Sequence, residues 1–111
     1  MNPDAALKAL AEPHRRAILQ LVARDPRPVG DIAGHLDITP QAVSRHLKVL
    51  REAGLVDERR EGTRRLYSIR AEGLEELHGF LDELLPSGLE RLKQAAEEEE
   101  RTEHGRGGER N

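Results

Sequence analysis

Before Gly54, the apolar positions of the chain recur at helical spacing in four short segments. In the third segment, apolar residues occupy positions 29, 32, 33 and 36, which lie on one side of a helix. Asn2 precedes the first segment, Pro13 opens the second and Thr39 precedes the fourth, and each of these favours the start of a helix. Gly54 suits the left-handed position that ends a helix. The pattern therefore predicts four helices, the last from about Thr39 to Ala53.

The second half of the chain begins with two extended segments, residues 55–61 and 63–70, on either side of Gly62. They predict a β-hairpin with Gly62 at its tip. From Ala71 the helical spacing returns, and Pro86 interrupts it. We expect a mainly α fold with one small β-hairpin: four helices, two strands and a fifth helix in one domain of residues 1–95. Residues 96–111 are acidic and polar, and we expect a disordered tail.

The charge of the chain is unevenly divided. The net charge is −3, but residues 1–70 carry 13 Lys and Arg against 9 Asp and Glu, a charge of +4. Residues 71–111 carry 5 against 12, a charge of −7. Such an asymmetry orients a protein on DNA, because phosphates repel the acidic end.

The composition excludes several kinds of protein and site. The chain has no cysteine, which excludes disulfides, thiolate metal sites and thiol redox sensors. It has neither an apolar run of the roughly 20 residues that span a membrane nor a signal peptide, so we expect a soluble, cytoplasmic protein. A nucleophile beside a base, a Gly-rich phosphate loop and a metal cage are also missing. We therefore expect no enzymatic activity and no cofactor.

The predicted fourth helix has an apolar side and a polar side. Val43, Leu47 and Leu50 fall together at about 100° per residue, and we expect them to be buried. The polar residues that can bind base edges and phosphates are Thr39, Gln41, Ser44, Arg45, Lys48 and Arg51. Any amphipathic surface helix has a solvated polar side. Here the short helix and tight turn before it, and the basic hairpin after it, favour a helix that reads the major groove of DNA.

Four arginines surround the predicted hairpin tip: Arg59, Arg60, Arg64 and Arg65. Their mutual repulsion is costly unless they are solvated or face an anion. A solvated loop is one interpretation. The neighbouring helix favours the other, in which the hairpin grips the phosphate backbone and one arginine enters the minor groove.

Three segments combine these features: residues 7–19 (LKALAEPHRRAIL), 43–56 (VSRHLKVLREAGLV) and 60–67 (REGTRRLY). Together they resemble the ArsR/SmtB family of bacterial winged helix-turn-helix regulators, over roughly residues 4 to 95. The resemblance implies a homodimeric repressor that binds a palindromic operator and leaves it when a signal arrives. It also implies a dimer interface on the first and last helices, where the matching residues are Leu7, Leu10, Leu74, Leu77, Leu81 and Leu84. These helices carry more leucine than a monomer of this size needs for its core, which also favours a dimer.

The sequence departs from the family at its metal-sensing positions. Metal-sensing members carry a Cys-x-Cys pair on the third helix, where residues 29–33 are VGDIA. Other members bind zinc on the last helix through two carboxylates and two histidines, where this chain offers Glu75, Glu76, His78 and Asp82. We therefore assign no metal ligands and interpret His14 and His46 as packed core histidines. Asp37 replaces a common glycine before the recognition helix, and Asp tolerates the left-handed backbone.

From the sequence we expect a DNA-binding transcriptional regulator, whose partners are double-stranded operator DNA and a second copy of itself. The inducing ligand is unknown. One alternative is a winged helix used as a protein-interaction module, with the basic hairpin docking on an acidic partner. Another is a regulator that senses metal through an unrecognised His, Asp or Glu site.

Overall fold

The structure, a computed structural model, describes residues 2–85 and 93–99. The helices and strands, in chain order, are α1 (Pro3–Leu10), α2 (Pro13–Arg24), α3 (Val29–Leu36), α4 (Pro40–Glu52), β1 (Val56–Glu61), β2 (Arg64–Ile69) and α5 (Ala71–Glu83). Residues 93–99 are also helical. The two strands form one antiparallel hairpin. This order confirms the predicted mainly helical fold with a winged helix-turn-helix arrangement.

The chain divides into two compact units, residues 1–78 and 79–111, and α5 begins in the first and ends in the second. The predicted domain boundary at residue 95 falls within the helical residues 93–99. Residues 100–111 of the predicted tail, and the path of the chain through Pro86, lie outside the described residues. Within the described ranges, no helix is long and apolar enough to cross a membrane.

The apolar side of α4 forms the centre of the first unit. Val43, Leu47 and Leu50 are each at most 1% exposed, as the helical pattern predicts. Four elements pack against this helix: α1, α2, α3 and β1. Ile18 of α2 and Ile32 of α3 are fully buried in the same core. The core thus covers one side of α4 and leaves the polar side in solvent.

Local hydrogen bonds and backbone conformation fix both ends of α4. The hydroxyl oxygen of Thr39 accepts a hydrogen bond from the backbone N–H of Ala42 at 3.1 Å, which caps the helix. Asp37 has a left-handed backbone, with φ 55°, as its tolerance for that conformation predicts. Gly54, with φ 79°, ends the helix. The helix therefore begins and ends where the sequence indicates.

The segment between α2 and α3 pairs with the hairpin. The backbone N–H of Arg27 donates to the carbonyl oxygen of Tyr67 at 3.0 Å, and the N–H of Tyr67 donates to the carbonyl oxygen of Arg27 at 2.9 Å. The Arg27 side chain is also held, because its Nη1 lies 2.7 Å from Oδ2 of Asp31 and its Nε donates to the carbonyl oxygen of Leu21. The sequence indicates only the end of α2 here. This anchor for the hairpin is a finding of the structure.

Two arginines of α2 bind the last turn of α1. Nε of Arg15 donates to the carbonyl oxygen of Ala9 at 2.7 Å, and Nη1 of Arg16 donates to the carbonyl oxygen of Leu10 at 2.7 Å. The carbonyl oxygens in the last turn of a helix find no N–H donor within the helix, so they need donors from outside it. The two side chains therefore cap α1 and join it to α2.

The start of α5 lies directly against the end of α4. A Cβ atom at Gly73 would overlap the carbonyl oxygen of Gly54. That oxygen belongs to backbone, which cannot move aside as the end of a flexible side chain can. Gly73 therefore permits α5 to approach the rest of the first unit.

Replacing glycine by alanine within a helix usually stabilises a protein. Because of this contact, we expect the opposite effect at Gly73. Gly73→Ala should lower the free energy of unfolding by about 1–3 kcal/mol, because the added methyl group forces the backbones apart. Gly34→Ala is the matched control: Gly34 is also helical, and no described atom beyond its chain neighbours and its own helix backbone lies within 4 Å of its Cβ position. The control should gain up to about 1 kcal/mol from the higher helix propensity of alanine. Urea unfolding followed by circular dichroism measures both, and a stabilised Gly73→Ala variant would refute the close contact.

Candidate nucleic-acid interface

The structure exposes the polar side of α4 as a continuous surface. The exposed residues on this side are Gln41, Ser44, Arg45, Lys48 and Arg51. Thr39 is also exposed, although its hydroxyl oxygen already caps the helix. Because the apolar side of the same helix is buried, the side chains of the polar side project together into solvent. Their donors and acceptors match the groups on base edges and phosphates.

The cations of α4 differ in their partners. Arg45 and Lys48 form no ion pair with another described residue, so their charges face solvent. Arg51, in the last turn, is paired: its Nη1 lies 3.1 Å from Oε1 of Glu58 on β1. Arg45 and Lys48 are therefore the α4 cations most ready to bind an anion.

Glu58 joins α4 to the hairpin. Its side chain is 15% exposed, and its Oε2 lies 3.3 Å from Nη1 of Arg65 on β2. The hydroxyl of Tyr67 also donates to Oε2, at 3.4 Å. Burial raises the pKa of the Tyr67 hydroxyl, and the nearby Glu58 carboxylate raises it further. The hydroxyl thus stays protonated as a donor, and one carboxylate holds Arg51 of α4 and Arg65 of the hairpin together.

The four hairpin arginines divide between its two faces. Arg60 pairs with Arg65 across the strands, so these two side chains share the face that also carries Glu58 and Tyr67. The other face carries Arg59, Arg64 and Glu61, and Glu61 lies 3.5 Å from each of these two arginines. Arg60 forms no ion pair within the part of the chain that the structure describes. The alternation of side chains along a strand therefore separates the four arginines, although they are close together in the sequence.

The predicted interface leucines have different environments. Leu77 is 6% exposed and belongs to the core of the first unit, and Leu10 and Leu74 pack against that core. Leu7 is 40% exposed. In the second unit, Leu81 is 41% exposed and Leu84 is 58% exposed. Leu77 is therefore a core residue of its own chain, whereas Leu7, Leu81 and Leu84 offer apolar surface.

The two histidines interpreted as core residues are not buried. The side chain of His14 is 50% exposed and that of His46 is 20% exposed. Their ring centroids lie 5.7 Å apart, and Glu12 lies beside both. The sequence gives little signal for this cluster, because His46 is 32 positions beyond His14 and lies next to the apolar side of α4.

Comparisons with known proteins agree with this geometry. A family model described as a helix-turn-helix domain matches residues 10–59. The chain is 47% identical over 81 residues to the HTH-type transcriptional regulator Rv2034 of Mycobacterium tuberculosis, covering 73% of this chain and 76% of that protein. It is 35% identical over 69 residues to the transcriptional repressor SdpR of Bacillus subtilis, covering 62% of this chain and 77% of that protein.

Solved structures show the same fold. The homodimeric winged helix-turn-helix DNA-binding domain of Mb0332 from Mycobacterium bovis is 36% identical, with a TM-score of 0.62, over 73% of this chain and 75% of that one. The ArsR family transcriptional regulator RHA00566 is 27% identical, with a TM-score of 0.65, over 73% of this chain and 84% of that one. On these grounds, the chain belongs to the ArsR/SmtB family of winged helix-turn-helix transcriptional regulators.

Proposed function

We propose that this protein is a homodimeric repressor that binds a palindromic operator. In this proposal the polar side of α4 enters the major groove and the hairpin binds the adjacent phosphates. The observation that carries the proposal is the two-sided character of α4. Its apolar side is buried on four neighbouring elements, and its exposed side carries amide, hydroxyl, guanidinium and ammonium groups.

The contacts divide into two kinds on chemical grounds. Arg45 and Lys48 are exposed and have no ion pair among the described residues, so we assign them to the groove, where arginine binds guanine through two hydrogen bonds. Arg60 shares a hairpin face with Glu58 and Arg65, and we assign it to the phosphates. Arg51 and Arg65 are held by Glu58. We assign these two to positioning the hairpin against α4, with their remaining N–H groups available to phosphate.

A dimer is supported by apolar surface and by a relative. Leu7, Leu81 and Leu84 are 40%, 41% and 58% exposed, and burying the apolar surface that they expose is favourable by about 25 cal/mol per Å². The Mb0332 domain is a homodimer. We assign these three leucines to contacts with a second copy. A twofold dimer would present two α4 helices about 34 Å apart, which is one turn of DNA.

The role of Arg45 can be tested on DNA selected by the protein from a randomised duplex library. Arg45→Ala should weaken binding to the selected duplex by ~1–3 kcal/mol and broaden the preference at the bases it contacts. Binding to a scrambled duplex should change much less. Fluorescence anisotropy on both duplexes measures the two affinities.

Arg24→Ala is the matched control, since Arg24 is an exposed arginine at the end of α2 and outside the proposed contacts. It should leave the ratio of selected to scrambled affinity unchanged. If Arg45→Ala lowered the affinity for the two duplexes equally, Arg45 would contact phosphate and not the bases. A selection that returns no preferred sequence would refute sequence-specific binding.

The dimer can be tested through Leu81. Leu81→Glu should convert the dimer to a monomer, because burying a carboxylate against an apolar surface is costly. It should also weaken operator binding, since the second half-site is no longer held by the same molecule. Sedimentation velocity gives the association state, with Glu75→Gln as a control on an exposed position of α5. A Leu81→Glu variant that remains a dimer would exclude this residue from the interface.

A further inference from the structure

A cluster of three potential metal ligands joins the start of α2 to α4. Glu12 is the N-cap of α2, His14 is in its first turn, and His46 is in the middle of α4. One ligand atom from each of the three lies within 4.8 Å of the others. Nδ1 of His14 lies 3.3 Å from Oε1 of Glu12, and Nδ1 of His46 lies 3.9 Å from Oε2. Residues far apart in sequence are thus brought together by the packing of α2 against α4.

The carboxylate of Glu12 is held in place independently of the histidines. Its Oε2 accepts a hydrogen bond from the backbone N–H of Arg15 at 2.9 Å, which is the capping bond of α2. Fixing a ligand by a hydrogen bond from outside the site is a common property of metal centres. The His14 side chain is 50% exposed and already contacts Glu12, so its ring has room to turn within the cluster. Tetrahedral zinc ligands lie about 3.3 Å apart, so small rotations suffice to close the site.

We propose that Glu12, His14 and His46 form a binding site for one divalent transition-metal ion, of the Zn²⁺ and Co²⁺ class. Two imidazole nitrogens with one carboxylate oxygen favour these ions over Mg²⁺ and Ca²⁺, which prefer oxygen ligands. Three protein ligands leave a fourth position for water or a small ligand. This proposal does not depend on DNA binding.

A bound ion would link the recognition helix to α2. His46 follows Arg45 directly in α4, so the ion would hold that part of the helix against the start of α2. The neighbouring Arg15 and Arg45 charges act on His46 and oppose a cation. Arg15 is drawn away in part, because its guanidinium donates to the carbonyl oxygens of Ala9 and Lys8.

The test uses the full, untagged chain with ZnCl₂ and with CoCl₂. Titration calorimetry should give one Zn²⁺ per chain, and the Co²⁺ protein should show visible ligand-field bands. His46→Gln and His14→Gln should each weaken binding by about tenfold or more. Zn²⁺ should raise the melting temperature of the wild type and have less effect on either variant. His14→Gln keeps the test interpretable if His46→Gln proves unstable, because His14 is on the surface.

His35→Gln and His78→Gln are the matched controls, since both remove an exposed histidine outside the cluster. Each should retain the wild-type affinity. Absence of Zn²⁺ binding by the wild type at millimolar concentration would overturn the proposal. Binding that survives in His14→Gln and His46→Gln but is lost in either control would also overturn it.

Discussion

Val43, Leu47 and Leu50 fill the centre of the first unit, where α1, α2, α3 and β1 all pack against one side of α4. Burial of each such side chain contributes about 1.5–3 kcal/mol to stability. The three residues share one side of the helix at helical spacing, so they are buried together only when that side faces the core. The same constraint turns the polar side outwards. The position of the proposed reading surface therefore follows from the packing of the core.

The hairpin is held to this centre by bonds of two kinds. Backbone hydrogen bonds between Arg27 and Tyr67 attach β2 to the segment before α3. The Glu58 carboxylate connects Arg51 at the end of α4 with Arg65 on the hairpin. A surface ion pair alone contributes little to stability. The Glu58 ion pairs matter because they fix geometry: they orient Arg51 and Arg65 near Arg60 of the hairpin.

The sequence predicts the elements better than the contacts between them. Thr39, Gly54 and the apolar spacing of α4 act through neighbours in the chain, so that helix is correctly bounded from sequence. The Arg27 bridge, the Gly73 contact and the cluster of Glu12 with His46 each join distant segments. Their residue types carry no periodic signal, and only the packing of the helices brings them together. Leu77 is a further case. The leucine spacing on α5 does not distinguish a leucine buried in the core from one exposed on the surface.

The salt dependence of DNA binding tests the central claim most directly. Affinities of the wild-type protein for its selected duplex and for a random duplex would be measured by anisotropy over a series of salt concentrations. Base contacts from α4 predict tighter binding to the selected duplex. Six or more phosphate contacts predict a log–log slope of about −5 or steeper. Equal affinity for both duplexes with a shallow slope would contradict the account. That result would instead favour a winged helix that binds another protein.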